Sequence, residues 1–242
     1  VVHLRQADLH NRLLRALDPE DFAVLQPALR PEDMLLRQML IAPHTRIDTV
    51  YFVESGIVSV TNDGASGRVE IGLIGREGLV GASPILLGDD RTPYTHFVQA
   101  AGHMLSVDAQ VLLGLAEARP AMRRLFLRYI HTHFAQTAQT AFANARGNTG
   151  TRLARWLLMY HDRSAGDVVT VTQEFMSLML GVERPGVTQA LRVLERDGLV
   201  RTHRGLVRIV DRDGLLRLVG DSYGTAEAEY DRLIGGPMAP TD

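Results

Sequence analysis

One stretch, Thr172 to Leu194 (TQEFMSLMLGVERPGVTQALRVL), constrains this chain more than any other. It reads as two short helices joined by a tight turn. Gly181 marks the turn, because glycine enters a left-handed backbone conformation without the steric cost that other residues carry. Before it, Phe175, Met176, Met179 and Leu180 recur at helical spacing, and after it Val187, Ala190, Leu191 and Leu194 do the same. With Gln173 as the first position, apolar residues fill the fourth, eighth, tenth, fifteenth and eighteenth: Met176, Leu180, Val182, Val187 and Ala190. The small Ser177 stands at the fifth, where two such helices cross closely. An αα-hairpin inside any core would share the spacing. The full pattern, small residue included, describes the helix-turn-helix whose second helix enters the DNA major groove.

The 242 residues suffice for one large or two medium domains. An apolar content of 45% and a charged content of 22% are ordinary for a globular chain, and no apolar run approaches the ~20 residues of a membrane span. The N-terminus carries Asp8 and lacks an uninterrupted apolar region, so no signal peptide and a cytoplasmic location are expected. There is no cysteine, which excludes disulfides, thiolate nucleophiles and cysteine-held zinc or iron–sulfur groups. The net formal charge of −2 does not advertise nucleic-acid binding, but its distribution does. From Arg146 to Arg212 there are eleven Arg against seven Asp plus Glu, so the acidic excess lies elsewhere.

Residues 3 to 29 read as helical, with Leu9, Leu13, Leu14 and Leu17 as a stripe and Asp18 as an N-cap ahead of Pro19. From Met34 to Val107 the pattern turns to β. Short apolar runs are expected as strands at Thr49–Val53, Ile57–Thr61, Val69–Ile74, Thr95–Ala100 and His103–Val107, with turn residues between them. Such spacing points to an antiparallel barrel or jelly roll. Residues 109 to 118 form a helix behind Asp108, and after Pro120 a long helix runs from about Ala121 to Arg146. About 26 helical residues span about 39 Å, a length that suits a dimer seam or a spine between domains. Its stripe of Phe126, Tyr129, Ile130, His133, Thr137 and Thr140 is the expected seam. Thr149 to His161 forms the next helix, and Val168–Val171 a short strand. Beyond Gly198, Leu199–Thr202 and Leu206–Val210 read as a hairpin, which directly after a recognition helix is a wing. The remainder is helical in pieces, Leu215–Val219 and Ala226–Ile234, before a Gly-Gly-Pro tail. The fold class is therefore α+β. The domains are a sensor barrel over 1–118, a long helix over 119–147 and a winged helix-turn-helix over 148–242.

This order resembles the Crp/Fnr family of bacterial transcription regulators, over nearly the whole chain. VYFVESGIVSV (50–60) resembles the family's barrel strand and glycine turn, and GREGLVGASPILLG (75–88) its effector-binding cassette. RPAMRRLFLRYI (119–130) resembles the start of the dimerisation helix. TQEFMSLMLGVERPGVTQALRVLERDGLV (172–200), the most specific of the four, resembles the DNA-reading unit. The resemblance implies a homodimer on a near-palindromic site of double-stranded DNA, a small effector in the barrel, and RNA polymerase as a further partner. The cyclic-nucleotide members carry a Gly-Glu pair on the cassette and an Arg followed by Ser or Thr on the phosphate strand. Here Ala82 follows Gly81, and Tyr94 precedes Thr95, so both charged anchors are missing. A phosphate without its Arg loses a charge-assisted contact, and tight cAMP binding is not expected. The polar candidates for another effector are Ser83, Tyr94, Thr95 and, on the long helix, Thr137.

No cofactor or metal is expected. His44, His96, His103, His131 and His133 read as core or surface histidines, and His131 and His133, two apart on a helix, face different ways. No metal cluster, phosphate loop, GxSxG or triad suggests an enzyme. On the second helix of the motif, the face opposite the core offers Arg184, Pro185, Thr188, Gln189 and Arg192. Arg forks onto guanine O6 and N7, and Gln pairs with adenine N6 and N7. Arg184 matches a base-reading Arg of the family, whereas Pro185 stands where the family has an acid and Gln189 where it has Arg. Arg192 and the wing residues Arg201, His203 and Arg204 suit phosphates, as does Thr172 at a helix N-terminus. A head that makes protein contacts instead of reading DNA is the alternative.

Overall fold

The fold is described from a computed structural model, over residues 4–65 and 67–235. The N-terminal segment is more broken than its leucine stripe suggests. A 3-10 turn at Gln6–Asp8 precedes α1 (Arg12–Ala16) and α2 (Pro19–Leu25), and a second such turn follows at Gln26–Ala28. Asn11 caps α1 by accepting from the amides of Leu13 and Leu14, and its Nδ2 donates to the carbonyls of Val53 and Gly78 at 3.0 and 2.8 Å. The segment is thereby pinned to the barrel. Asp18 precedes α2 as expected, but its side chain makes no capping hydrogen bond; Pro19 alone presets the first turn.

The barrel is two four-stranded antiparallel sheets. Its strands are β1 (Arg30–Met34), β2 (Met39–Ile41), β3 (Thr49–Val53), β4 (Ile57–Gly64), β5 (Gly67–Ile74) and β6 (Leu79–Val80). After α3 (Ala82–Leu87) come β7 (Thr95–Ala100) and β8 (Gly102–Asp108). One sheet runs β1-β8-β3-β6 and the other β2-β7-β4-β5. β1 escaped the sequence reading because it is an edge strand whose first four residues, RPED, are exposed. Only an edge tolerates Pro31, which has no N–H to give the ladder.

α4 (Ala109–Ala118), capped by Asp108, leads into α5 (Pro120–Arg146), a helix of 27 residues. The head follows as α6 (Thr149–His161), β9 (Val168–Thr170), α7 (Gln173–Leu180), α8 (Arg184–Arg196), β10 (Val200–His203) and β11 (Leu206–Ile209). It closes with α9 (Arg212–Val219) and α10 (Thr225–Leu233). α10 runs back along α5: the Ala226 amide donates to Gln139, and the Tyr230 hydroxyl donates to the Glu77 carbonyl at 2.9 Å. The tail expected after Gly235 lies outside the described residues.

Two apolar clusters hold the molecule together. The first fills the barrel and takes in α1, α2, the first half of α5 and Tyr230. The second is the core of the head, and it also includes Ile57 of β4 and Leu73 of β5. The head is therefore docked on the outer face of the sensor sheet. A buried ion pair crosses the same boundary, Arg163 Nε to Glu77 Oε1 at 2.7 Å.

The long helix requires a correction. Phe126 and Tyr129 were expected on the seam, but they are 0% and 3% exposed and belong to the chain's own barrel core. Ile130, His133, Thr137 and Thr140 are only partly exposed. The most apolar stripe of a helix faces the largest core it can reach, and for α5 that core is its own barrel. The exposed face lies a step around the helix, with Phe134 at 68% exposure, Phe142 at 46%, and Ala138 and Ala141 between them.

Candidate nucleic-acid interface

Each end of the helix-turn-helix has a local cause. Thr172 caps α7, its hydroxyl accepting from the Phe175 amide at 3.2 Å. Gly181 ends α7 at φ +62°, a conformation that admits glycine readily, and a Cβ there would meet Val69 of the barrel at 2.8 Å. Pro185 lies in the first turn of α8, where its missing N–H costs nothing. Val187, Ala190, Leu191 and Leu194 are buried, so the opposite face of α8 is fixed by periodicity. Arg184, Pro185, Gln189 and Arg192 are exposed on it. Thr188 is half-buried beside them, its hydroxyl 2.7 Å from Gln173 Oε1 and 3.1 Å from the Arg184 carbonyl.

The wing is the β10–β11 hairpin, joined by β9 in a three-stranded sheet of order β10-β11-β9. Glu195 of α8 accepts from the Thr202 amide at 2.8 Å and from its hydroxyl at 3.0 Å, which ties the wing to the recognition helix. Arg201, His203 and Arg204 are exposed on the wing. Sequence reasoning passed over Arg208, which pairs directly across the ladder with Arg201. The signal was parity: two positions opposite each other in an antiparallel hairpin share a face. Like charges directly opposite destabilise a sheet, so the pair makes physical sense against a polyanion. Among the described residues, none of Arg184, Arg192, Arg201, Arg204 and Arg208 is within 4.0 Å of a carboxylate. Five unneutralised guanidiniums thus lie on α8 and its wing.

The expected effector residues are not gathered in one place. Gly81, at φ +84°, precedes α3, with Ala82 buried and Ser83 half-buried behind it. Tyr94 is exposed. Thr95 was placed inside the barrel, and this is corrected. Strand alternation turns Val98 into the barrel core, while Thr95 and Phe97 face the head, where Phe97 meets Phe175 of α7 edge-on at 6.2 Å. The Thr95 hydroxyl donates to Asp63 at 3.1 Å, and that of Thr137 donates back to the His133 carbonyl, also at 3.1 Å. Both are satisfied within the protein.

Beyond the apolar packing of Phe126 and Tyr129, α5 is hydrogen-bonded to the barrel by a residue the sequence reading left out. Gln136 accepts from the Leu73 amide at 2.8 Å and donates to the Leu73 carbonyl at 3.2 Å. Its carboxamide thereby pairs with the free edge of β5 as a strand would. His96 and His133 are held neutral beside this contact, burial pushing both down to about 4. Among the described residues no group of three His, Cys, Asp or Glu is placed to hold a metal ion. Among the same residues no helix is long and apolar enough to cross a membrane.

Comparison with known proteins agrees with this geometry. A cyclic nucleotide-binding domain model matches residues 35–119, and a Crp-like helix-turn-helix domain model matches residues 151–218. The HTH-type transcriptional regulator Cmr of Mycobacterium tuberculosis is 24% identical over 200 residues, covering 82% of this chain and 80% of that protein. FixK2 from Bradyrhizobium japonicum superposes with a TM-score of 0.69 at 15% identity, over 79% of this chain and 98% of that one. The regulator TTHB099 of the CRP family from Thermus thermophilus gives 0.65 at 20% identity, over 78% and 97%. These structures share the fold: sensor barrel, long helix, helix-turn-helix head. With both domain models present in that order on one chain, this protein is a transcription regulator of the Crp/Fnr family, with a helix-turn-helix DNA-binding domain.

Proposed function

We propose that the chain acts as a cytoplasmic homodimer that reads a near-palindromic operator, one recognition helix to each half-site. What carries the reading is the set of unneutralised guanidiniums on α8 and the wing. In this scheme Arg184 and Gln189 read bases from the major groove, and Pro185 touches a thymine methyl. Arg192, Arg201, His203, Arg204 and Arg208 hold phosphates, as does the N-terminus of α7 at Thr172. Phe134, Ala138 and Ala141 on the open face of α5, with the half-buried Leu127 one heptad before Phe134, recur at coiled-coil spacing and form the dimer seam. RNA polymerase is the further partner of such a regulator.

The effector is not cAMP. Ala82 and Tyr94 stand where the nucleotide-binding relatives carry their charged anchors, and Gln136 already occupies the β5 edge facing α5. Selection of bound fragments from genomic DNA tests the DNA reading. The expected yield is inverted half-sites whose centres are about one helical turn, ~34–36 Å, apart. Unpaired half-sites would refute the dimer, and no enrichment at all would leave the head a protein-contact module. For the sensor, a thermal melt unchanged by millimolar cAMP is expected, and micromolar cAMP affinity by calorimetry would refute it.

A further inference from the structure

Where the head docks on the sensor sheet, one carboxyl is almost entirely enclosed. Glu70 of β5 is 6% exposed. Trp156 of α6 donates its indole N–H to Glu70 Oε1 at 2.7 Å. Ser59 of β4 lies 2.6 Å from Glu70 Oε2, and the same hydroxyl lies 3.6 Å from Met179 Sδ of α7. The charged groups that face Glu70 come from α6 and the turn that follows it. Arg155 is engaged with the Ser222 carbonyl at 2.8 Å, and Arg163 with Glu77 at 2.7 Å. Arg152, lining the same crevice, is turned to Asn144 and to the Leu180 carbonyl. Tyr160 is the other titratable neighbour, its phenol pushed up to about 12 by burial first and Glu70 second. β4 and α7 present only the uncharged Ser59 and Met179, and α5 lines the crevice with Thr140 and Asn144.

Counting protons shows what a protonated cluster gains. A hydroxyl has one proton, so Ser59 cannot donate to Glu70 and to Met179 together. A protonated Glu70 lets both contacts of Ser59 be hydrogen bonds. Its O–H donates to Ser59 Oγ, the Ser59 proton goes to Met179 Sδ, and the remaining Glu70 oxygen accepts from Trp156. The bonds then run unbroken from the sensor sheet to both α6 and α7. Burial also pushes the Glu70 carboxyl up to about 7, against the opposing pull of Ser59, Trp156, Arg163 and Arg155.

We propose that Glu70 is a proton-binding effector site: the protonated carboxyl latches the DNA-binding head to the sensor sheet, and its ionisation loosens the latch. Its effect on transcription rests on the reading above that the head binds an operator; the latch itself does not. The direction follows from linkage. Undocked, Glu70 meets water and returns towards 4.5, so the docked state binds the proton more tightly. Docking is strongest below about pH 4.5, weakens about tenfold per pH unit as the pH rises to about 7, and levels off above that.

Trp156 is the only tryptophan of the chain, so the emission of the full-length protein, titrated from about pH 5 to 8.5, reads the latch directly. The wild type is expected to show a transition. Glu70→Gln, whose carboxamide keeps one acceptor and one donor, is expected to stay at the low-pH emission throughout. Ser59→Ala removes a hydrogen-bond partner that the carboxyl has in both states, and its midpoint is expected to move. A flat wild-type trace, or the same transition in Glu70→Gln, overturns the proposal. Should Glu70→Gln fail to give a wild-type melt, Ser59→Ala decides, and an unmoved midpoint overturns it. Operator affinity over the same range is expected to vary in the wild type and not in Glu70→Gln. Both proteins keep His203 on the wing, so a difference between them belongs to Glu70. An emission transition without any change in operator affinity would keep the latch and refute its link to DNA binding.

Discussion

Arg184 and Arg204 are both exposed arginines, yet they differ in what they can tell a duplex apart by. Arg184 stands at the start of α8, where a guanidinium can fork onto one guanine. Arg184→Ala is expected to cost about 1–3 kcal/mol and to relax the preference at one base pair per half-site, measured by competition with permuted operators. Untouched operator affinity in that variant would mean a different register for α8. Arg204→Ala is expected to weaken all sequences alike and to lower the slope of log affinity against log salt by about 1. The reading face was legible from the sequence because burial of Val187, Ala190, Leu191 and Leu194 leaves only one opposite face on a helix. Thr95 was not. On a strand, one residue decides between inside and outside, and His96 and Thr95 are both plausible occupants of either side.

At the scale of the element, α5 shows why an apolar stripe does not announce its partner. The helix has two such faces, and Phe126 and Tyr129 made the richer one more visible. That face lies on the barrel core, which is already present in a single chain. The contrast gives a paired test. Phe126→Ala is expected to cost about 3–5 kcal/mol of unfolding free energy, as for a fully buried aromatic. Phe134→Glu, at a position 68% exposed, is expected to leave the chain folded and to shift sedimentation from dimer to monomer. A dimer that survives Phe134→Glu has its seam elsewhere. The edge strand β1 and the two-residue β6 were illegible for a different reason. Neither carries enough apolar residues to form a pattern, and both depend on a neighbour to exist as strands.

Across the whole molecule, the order of parts was legible and their mutual docking was not. Ile57, Glu70, Leu73 and Phe97 read as ordinary strand residues, and nothing local to them names the head as the surface they meet. The Arg163–Glu77 pair is part of that boundary, with side-chain exposures of 0% and 6%. Arg163→Met is expected to destabilise the chain by about 3–5 kcal/mol in urea unfolding, because it leaves a carboxylate buried without its counter-charge. Replacing both partners together, as Glu77→Leu with Arg163→Met, is expected to recover much of that loss.

The carboxamide of Gln136 on the rim of β5 carries a further consequence. An uncovered sheet rim invites a strand from another molecule, and natural proteins shield such rims. Here the shield is a side chain of the very helix that joins sensor to head. Any signal that lifts α5 from the barrel therefore also bares an adhesive strip. Tying the spine of the molecule to its sensor and covering an adhesive rim are thus tasks of one amide.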